Sequence, residues 1–137
     1  MKGILETLAK EGGLKTFIML LRIASLEEQL DTQGPYTVFA PTDEAFEELP
    51  PKVMDELLNG GEELTNFLNH HLVLGDLTTD DLEENPFLET VAGSKLLLDA
   101  FNGTLMINDR ISIIQANVSF AGGEIQVIDT VLLPPGE

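Results

Sequence analysis

The chain contains no cysteine and no tryptophan, a single tyrosine and few bases. Each shortage excludes something. Without cysteine there is no disulfide, no thiolate nucleophile and no cysteine metal ligand. Seven Lys and Arg stand against 24 Asp and Glu, a formal net charge of −17. Binding to nucleic acid needs a basic footprint, so that class is excluded. An anionic lipid surface would repel the chain as well. No apolar run approaches the ~20 residues of a membrane-spanning helix. The longest candidate, Phe17 to Leu21, stops at Arg22 and reads as a buried helix face. The opening residues Met1 to Glu6 hold no signal-peptide apolar region, which leaves two readings open: a cytosolic protein, or an exported one whose export segment lies ahead of them.

Catalytic patterns are equally scarce. The serines are Ser25, Ser94, Ser112 and Ser119, and none sits in a Gly-x-Ser-x-Gly elbow. There is no P-loop, no dinucleotide fingerprint and no His-Glu-x-x-His helix. The two histidines, His70 and His71, are adjacent. On a strand they would point to opposite faces, and on a helix they would lie about 100° apart. They therefore fit one metal ion badly. The expectation is that one packs inward with a hydrogen bond while the other faces solvent. No EF-hand pattern is present. Asp76, Asp80, Asp81, Glu83 and Glu84 read as a solvated loop and the first turn of a short helix, with a weak calcium site as the rival. No metal and no cofactor is expected.

What is present suffices for one core. The 137 residues are 43% apolar, within single-domain size. One domain is expected over residues 2–134, with 135–137 as a tail. The acidity is local: 13 acids and one base, Lys52, lie between Asp43 and Glu84. It reads as a solvated surface. A cationic partner, weak calcium binding and a salty habitat are the sharper alternatives.

The first half reads as helical. Ile4, Leu5 and Leu8 have helical spacing, closed by Gly12-Gly13. Leu14, Phe17, Ile18, Leu21 and Leu26 mark a second helix. Gly34-Pro35 breaks the chain, and Tyr36 to Phe39 reads as a strand ended by Pro41. Thr42-Asp43 offers N-cap chemistry to a helix starting near Glu44. Further helices are expected at Val53 to Leu58 and around Leu64, Phe67 and Leu68. Thr78 to Asp81 resembles a capping box before Leu82. The second half reads as sheet: Lys95 to Phe101 and Thr104 to Ile107 flank the hairpin signal Asn102-Gly103. Asn108-Asp109 and Gly122-Gly123 are further turns, around strands from Arg110 to Gln115 and through Ile125 and Val127. Helices followed by an antiparallel meander make an α+β pattern. The sequons Asn102-Gly103-Thr104 and Asn117-Val118-Ser119 are glycan acceptors only in an exported eukaryotic protein.

Three segments in order resemble one known family. Gly34 to Phe46 (GPYTVFAPTDEAF) resembles the first signature of fasciclin-like (FAS1) domains. Leu68 to Leu77 (LNHHLVLGDL) is similar to that family's central Tyr-His segment, and Gly123 to Leu132 (GEIQVIDTVL) to its closing signature. The resemblance covers nearly the whole chain. It implies an α+β fold, an antiparallel β-wedge or sandwich with the N-terminal helices packed along it. It implies a non-catalytic adhesion module, secreted or on the cell surface, binding matrix, cell-surface or carbohydrate partners. The short chain without cysteine looks more like the family's single-domain bacterial and archaeal forms. In animal members the Tyr-His segment is implicated in integrin binding. By that analogy His70, His71, Leu72 and Val73 are the candidate binding residues. Here His70 replaces the tyrosine, Gln126 stands where histidine is common, and there is no Arg-Gly-Asp, so the analogy carries the fold further than the partner.

Read as residues, the signatures are mostly folding information. Phe39, Phe46, Ile125, Val127 and Val131 are expected in the core, and Thr42 and Asp43 at a cap. Asp129 lies in an apolar stretch, so it is expected buried, accepting backbone hydrogen bonds or pairing with a polar group of the first signature. A cell-envelope carrier of a small ligand or calcium, and a saccharide-acting enzyme with a carboxylate pair, are the rival functions.

Overall fold

The structure is a computed structural model that describes residues 3–84, 87–101, 104–108 and 111–132. The expected turns at Asn102-Gly103 and Asp109, the first sequon and the tail lie partly or wholly outside those residues.

The helical half forms as the spacing predicts. Helix α1 (Ile4–Glu11) ends at Gly12, whose φ of 79° is the positive region that glycine adopts without strain. Helix α2 (Lys15–Ala24) buries Phe17, Leu20 and Leu21. It does not run on to Leu26. Ser25 adopts the left-handed conformation (φ 56°) and its N–H returns to the Arg22 carbonyl at 3.1 Å, so the helix closes there. A separate α3 (Glu27–Thr32) follows and buries Leu30. The Gly34-Pro35 bend leads into β1 (Tyr36–Pro41), then α4 (Asp43–Glu47), α5 (Pro51–Leu58) and α6 (Gly61–Asn69). Pro51 opens α5, where its missing N–H costs nothing.

The remainder is sheet with one helix: β2 (Leu72–Leu74), α7 (Thr79–Glu84), β3 (Phe87–Glu89), β4 (Lys95–Phe101), β5 (Thr104–Ile107), β6 (Ile111–Phe120) and β7 (Gly123–Ile128). Strand β3, which the sequence reading passed over, is short, with Phe87 and Glu89 exposed. Phe101 pairs with Thr104, leaving two residues for the β4–β5 connection.

The seven strands form one sheet in the order β2-β1-β7-β6-β5-β4-β3. The sequence reading of a purely antiparallel meander is modified at one place: β7 lies parallel to β1, from Tyr36 opposite Gly123 to Pro41 opposite Ile128. The chain thus returns at its end to cover the first strand. All of β1 is buried, and five of six β7 residues are, as a strand covered on both faces requires.

Two apolar clusters flank these central strands. Tyr36, Val38, Ala40, Ile125 and Val127 face the helices α1 to α6. Phe39 and Ile128 face the other way, onto Leu82 of α7 and Leu96, Leu98, Leu105 and Ile107 of β4–β5. Period-two alternation assigns the faces. Strand β6 serves both clusters because its pairing with β7 shifts register between Ile113 and Val118, around Asn117 with φ 57°.

Candidate functional site

Helix α6 ends at Asn69, and the chain turns through His70 and His71 into β2. Both imidazoles are buried, at 6% and 0% exposure. The expectation of one solvent-facing histidine is therefore corrected: His70 also has an inward partner. Its Nδ1 lies 2.7 Å from the Ser94 hydroxyl, which lies 2.7 Å from the Thr90 hydroxyl. Burial lowers its pKa.

His71 ties three distant parts together. Its Nδ1 is 2.9 Å from the Phe67 carbonyl of α6, and its Nε2 accepts the Leu132 N–H at 2.9 Å. The Phe67 and Phe17 rings lie 4.7 and 6.3 Å away, centroid to centroid. Burial is the main cause that lowers the His71 pKa to about 4; the bond to the Phe67 carbonyl opposes it and the nearby His70 adds to it. Leu72 and Val73 continue the pattern, each buried in a different cluster. The four candidate binding residues thus lie together, with their side chains inside the molecule.

The first signature forms a corner. Thr42 is the N-cap of α4 and accepts from the Ala45 N–H at 3.2 Å. Asp43 does more than sit in the first turn. Its Oδ1 accepts the Thr16 N–H at 2.8 Å, and its own N–H donates to the Gly13 carbonyl. It thereby caps α2 from across the structure. Phe46 packs on Phe67, with centroids 6.1 Å apart.

Asp129 departs from expectation in one respect. It is exposed, not buried. It does accept a backbone bond, from Ser112 N–H at 3.0 Å, while its N–H donates to the Ser112 carbonyl at 3.2 Å. The partner lies on β6 rather than in the first signature.

In the acidic loop the acid's half of the expected box is present: Asp81 Oδ2 accepts from both the N–H and the hydroxyl of Thr78, each at 3.1 Å. Among the described residues no three His, Asp or Glu side chains gather as a metal site.

A polar network beneath this loop, anchored on one buried side chain, left no sign in the sequence. Gln126 is fully buried, and its Nε2 donates to the Leu77 carbonyl (3.1 Å) and Asn117 Oδ1 (3.0 Å). Its Oε1 accepts the Asn117 N–H at 3.0 Å. Asn117 also accepts from Thr79 N–H and donates to the Thr79 hydroxyl. Asn117 had drawn notice only as a sequon; its bonds span 38 residues, which no local pattern reveals.

The fold and the three tied corners define a helix-then-sheet α+β domain whose marker residues hold its parts together. Residues 12–134 match the fasciclin domain family, and the chain belongs to that family. Two cyanobacterial relatives from Synechocystis are similar over almost the whole chain. Protein sll1483 is 34% identical over 96% of this chain and 73% of its own length. Protein sll1735 is 33% identical over 97% and 98%. The cell surface glycolipoprotein MPB83 of Mycobacterium bovis is 32% identical over 76% of this chain and 46% of its own length. Among solved structures, a domain pair of the insect cell adhesion molecule Fasciclin I aligns with a TM-score of 0.79. It is 23% identical, over 97% of this chain and 51% of that one.

Proposed function

We propose that this chain is a non-catalytic interaction module, acting by adhesion at the cell surface or outside the cell, with a protein or carbohydrate as partner. The observation that carries this reading is fasciclin membership over residues 12–134. A relative named for the cell surface and a structural neighbour named for cell adhesion support it.

The buried segment His70 to Val73 enters this reading as the support of a contact face. Directly after it come Leu74, 67% exposed, and the exposed acids Asp76, Asp80, Glu83 and Glu84. Such an exposed apolar residue at the end of β2, beside an acidic loop, suits a partner surface with basic and apolar groups.

The test is adhesion of the purified chain to immobilised cells, matrix glycoproteins and polysaccharides. A variant carrying Leu74→Ala, Asp80→Asn, Glu83→Gln and Glu84→Gln is expected to keep the melting curve and lose most of the binding. Equal binding by that variant moves the contact face elsewhere. No binding by the unaltered chain to any of the surfaces sinks the role itself.

A further inference from the structure

The sheet has two end strands, β2 and β3. Their neighbourhoods meet at one end. The Val91 N–H donates to the Leu72 carbonyl at 2.8 Å, and the Ala92 N–H to the Asn69 carbonyl at 3.3 Å. Continued antiparallel, that contact would set Leu74 opposite Glu89. No ladder joins β2 to β3 there among the described residues. A seam between two strand edges is left unbonded.

Ladder alternation fixes which main-chain groups line that seam. On β2, the His71 carbonyl accepts from Phe39 and the Gly75 N–H donates to Pro35, so alternate residues His71, Val73 and Gly75 face β1. Leu72 and Leu74 turn their main chain the other way, and Leu72 already meets Val91. On the opposite lip the Thr90 N–H donates to the Ser94 carbonyl. Leu97 spends its main chain on Asn108: its carbonyl accepts the Asn108 N–H at 2.7 Å and its N–H donates to Asn108 Oδ1 at 2.9 Å. In the register Phe87 to Leu97, Leu88 to Leu96 and Glu89 to Lys95, it is therefore Leu88 whose main chain faces β4. The N–H and C=O groups of Phe87 and Glu89 point outward, with no hydrogen-bond partner among the described residues. The side chains alternate as well. Leu88 turns inward onto the second cluster. Phe87 turns outward beside its cross-strand partner Leu97, and the two are 66% and 47% exposed. Bare main-chain groups beside an uncovered apolar pair make a template for another strand.

We propose that the free edge of β3 takes an extended segment of a partner protein as an added strand, one in which apolar and basic residues alternate. On the inner side the apolar residues meet Leu88. On the outer side the basic residues meet the Glu89 carboxylate and the face of the Phe87 ring. The exposed acids Asp76, Asp80, Glu83 and Glu84 lie on the chain that joins β2 to β3, beside the same seam. They favour a basic strand, and a net charge of −17 on each chain opposes a second copy in that place. The proposal rests on the interaction reading above and narrows its partner to a polypeptide held by its main chain.

The experiment is NMR titration of the 15N-labelled chain with an alternating Lys-Val heptapeptide at constant ionic strength, beside the same peptide methylated on every backbone nitrogen. Methylation keeps the charge and the side chains and removes the main-chain donors. Saturable shifts centred on the Phe87 and Glu89 amides are expected with the first peptide, and binding ~10-fold weaker or absent with the second. Glu89→Pro is expected to keep the fold, because that N–H points away from β4, and to weaken binding ~10-fold. Glu89→Gln keeps the N–H and gives a smaller loss. Should Glu89→Pro fail to fold, the two peptides decide by themselves. No saturable shift, equal response to both peptides, or shifts scattered over the acidic surface overturns the proposal. Shifts of the same amides on concentrating the chain without peptide overturn it in favour of a second copy. Adhesion to polysaccharide with no response to the peptide keeps the interaction reading and overturns the added strand. Peptide binding at β3 with no adhesion to any surface supports the added strand and sinks the adhesion role.

Discussion

At His71 the proton is placed by geometry. The Leu132 N–H can only donate, so Nε2 must be bare, and Nδ1 holds the proton that it gives to the Phe67 carbonyl. A second proton has to break the Leu132 bond inside the packed core, which agrees with a folded-state pKa lowered from 6.5 to about 4. The unfolded chain then holds more protons than the folded one between those values, so stability falls as pH drops through that window. His71 contributes fully above pH 6.5 and loses about 3 kcal/mol by pH 4. His71→Gln keeps an amide in place of the ring and cannot titrate. Urea unfolding from pH 7 to 4 should therefore show a steeper decline for the unaltered chain than for His71→Gln; parallel declines would refute the linkage. Asp43 makes a sharper cap than its position in α4 suggested, because it serves α2. Asp43→Ala should cost ~1 kcal/mol, while Glu44→Ala on the exposed side of the same turn should cost a few tenths at most. Asp129→Ala should cost about 1 kcal/mol, the value of one exposed-edge bond rather than of a buried charge, measured by the same unfolding curves.

Among the elements, the β6–β7 turn is where backbone meets backbone. Tyr36 N–H donates to the Gly122 carbonyl at 2.8 Å, and the same glycine packs against the Leu30 carbonyl at the end of α3. Gly122→Ala should destabilise by ~3 kcal/mol or more, because rigid main chain must shift to admit a methyl group; thermal unfolding of the variant measures it, and a change under ~1 kcal/mol would refute the close approach. The sequence displayed this Gly122-Gly123 pair as a turn, which it is, but not as a contact with Leu30 and Tyr36, far back in the chain. The same limit explains the other differences. Helix spacing, caps and hairpin signals are local and were legible: α1, the Thr42 cap, the Thr78–Asp81 box and the β4–β5 pairing all follow from near neighbours. Ser25, a non-glycine in the left-handed region, gave no warning that α2 would stop before Leu26. The parallel partnership of β1 and β7 is decided by the core, where Val38 and Ile125 meet one face and Phe39 and Ile128 the other. Strand β3 carries too few residues to show a period. Of the candidate site, the His70 to Val73 segment was found by resemblance, but its burial was not, since His70 depends on Ser94, 24 residues away.

For the molecule as a whole the dominant physical fact is charge. Folding brings the net −17 into a compact volume, so self-repulsion weakens the folded state more than the expanded chain. Added salt shortens the screening length from ~10 Å at 0.1 M to ~3 Å at 1 M. The melting temperature should therefore rise with sodium chloride, a gain of ~1 kcal/mol corresponding to ~4 °C at this chain length. The repulsion also has a local address. Glu56, Glu62 and Glu63 surround one hollow between α5 and α6. Glu62 and Glu63 occupy the first turn of α6, where the helix dipole favours them. Glu56 lies in the last turn of α5, which holds no base and where the dipole disfavours an acid. Glu56→Lys reverses both terms at once: it places a cation at a helix C-terminus and beside two carboxylates. It should stabilise the chain by ~0.5–1 kcal/mol at low salt, and its melting temperature should rise less with salt than that of the unaltered chain. Glu62→Lys removes a similar repulsion but gives up the favourable dipole, so its gain should be smaller. Equal gains from the two substitutions would show that bulk charge alone governs stability and that position on the helix does not matter.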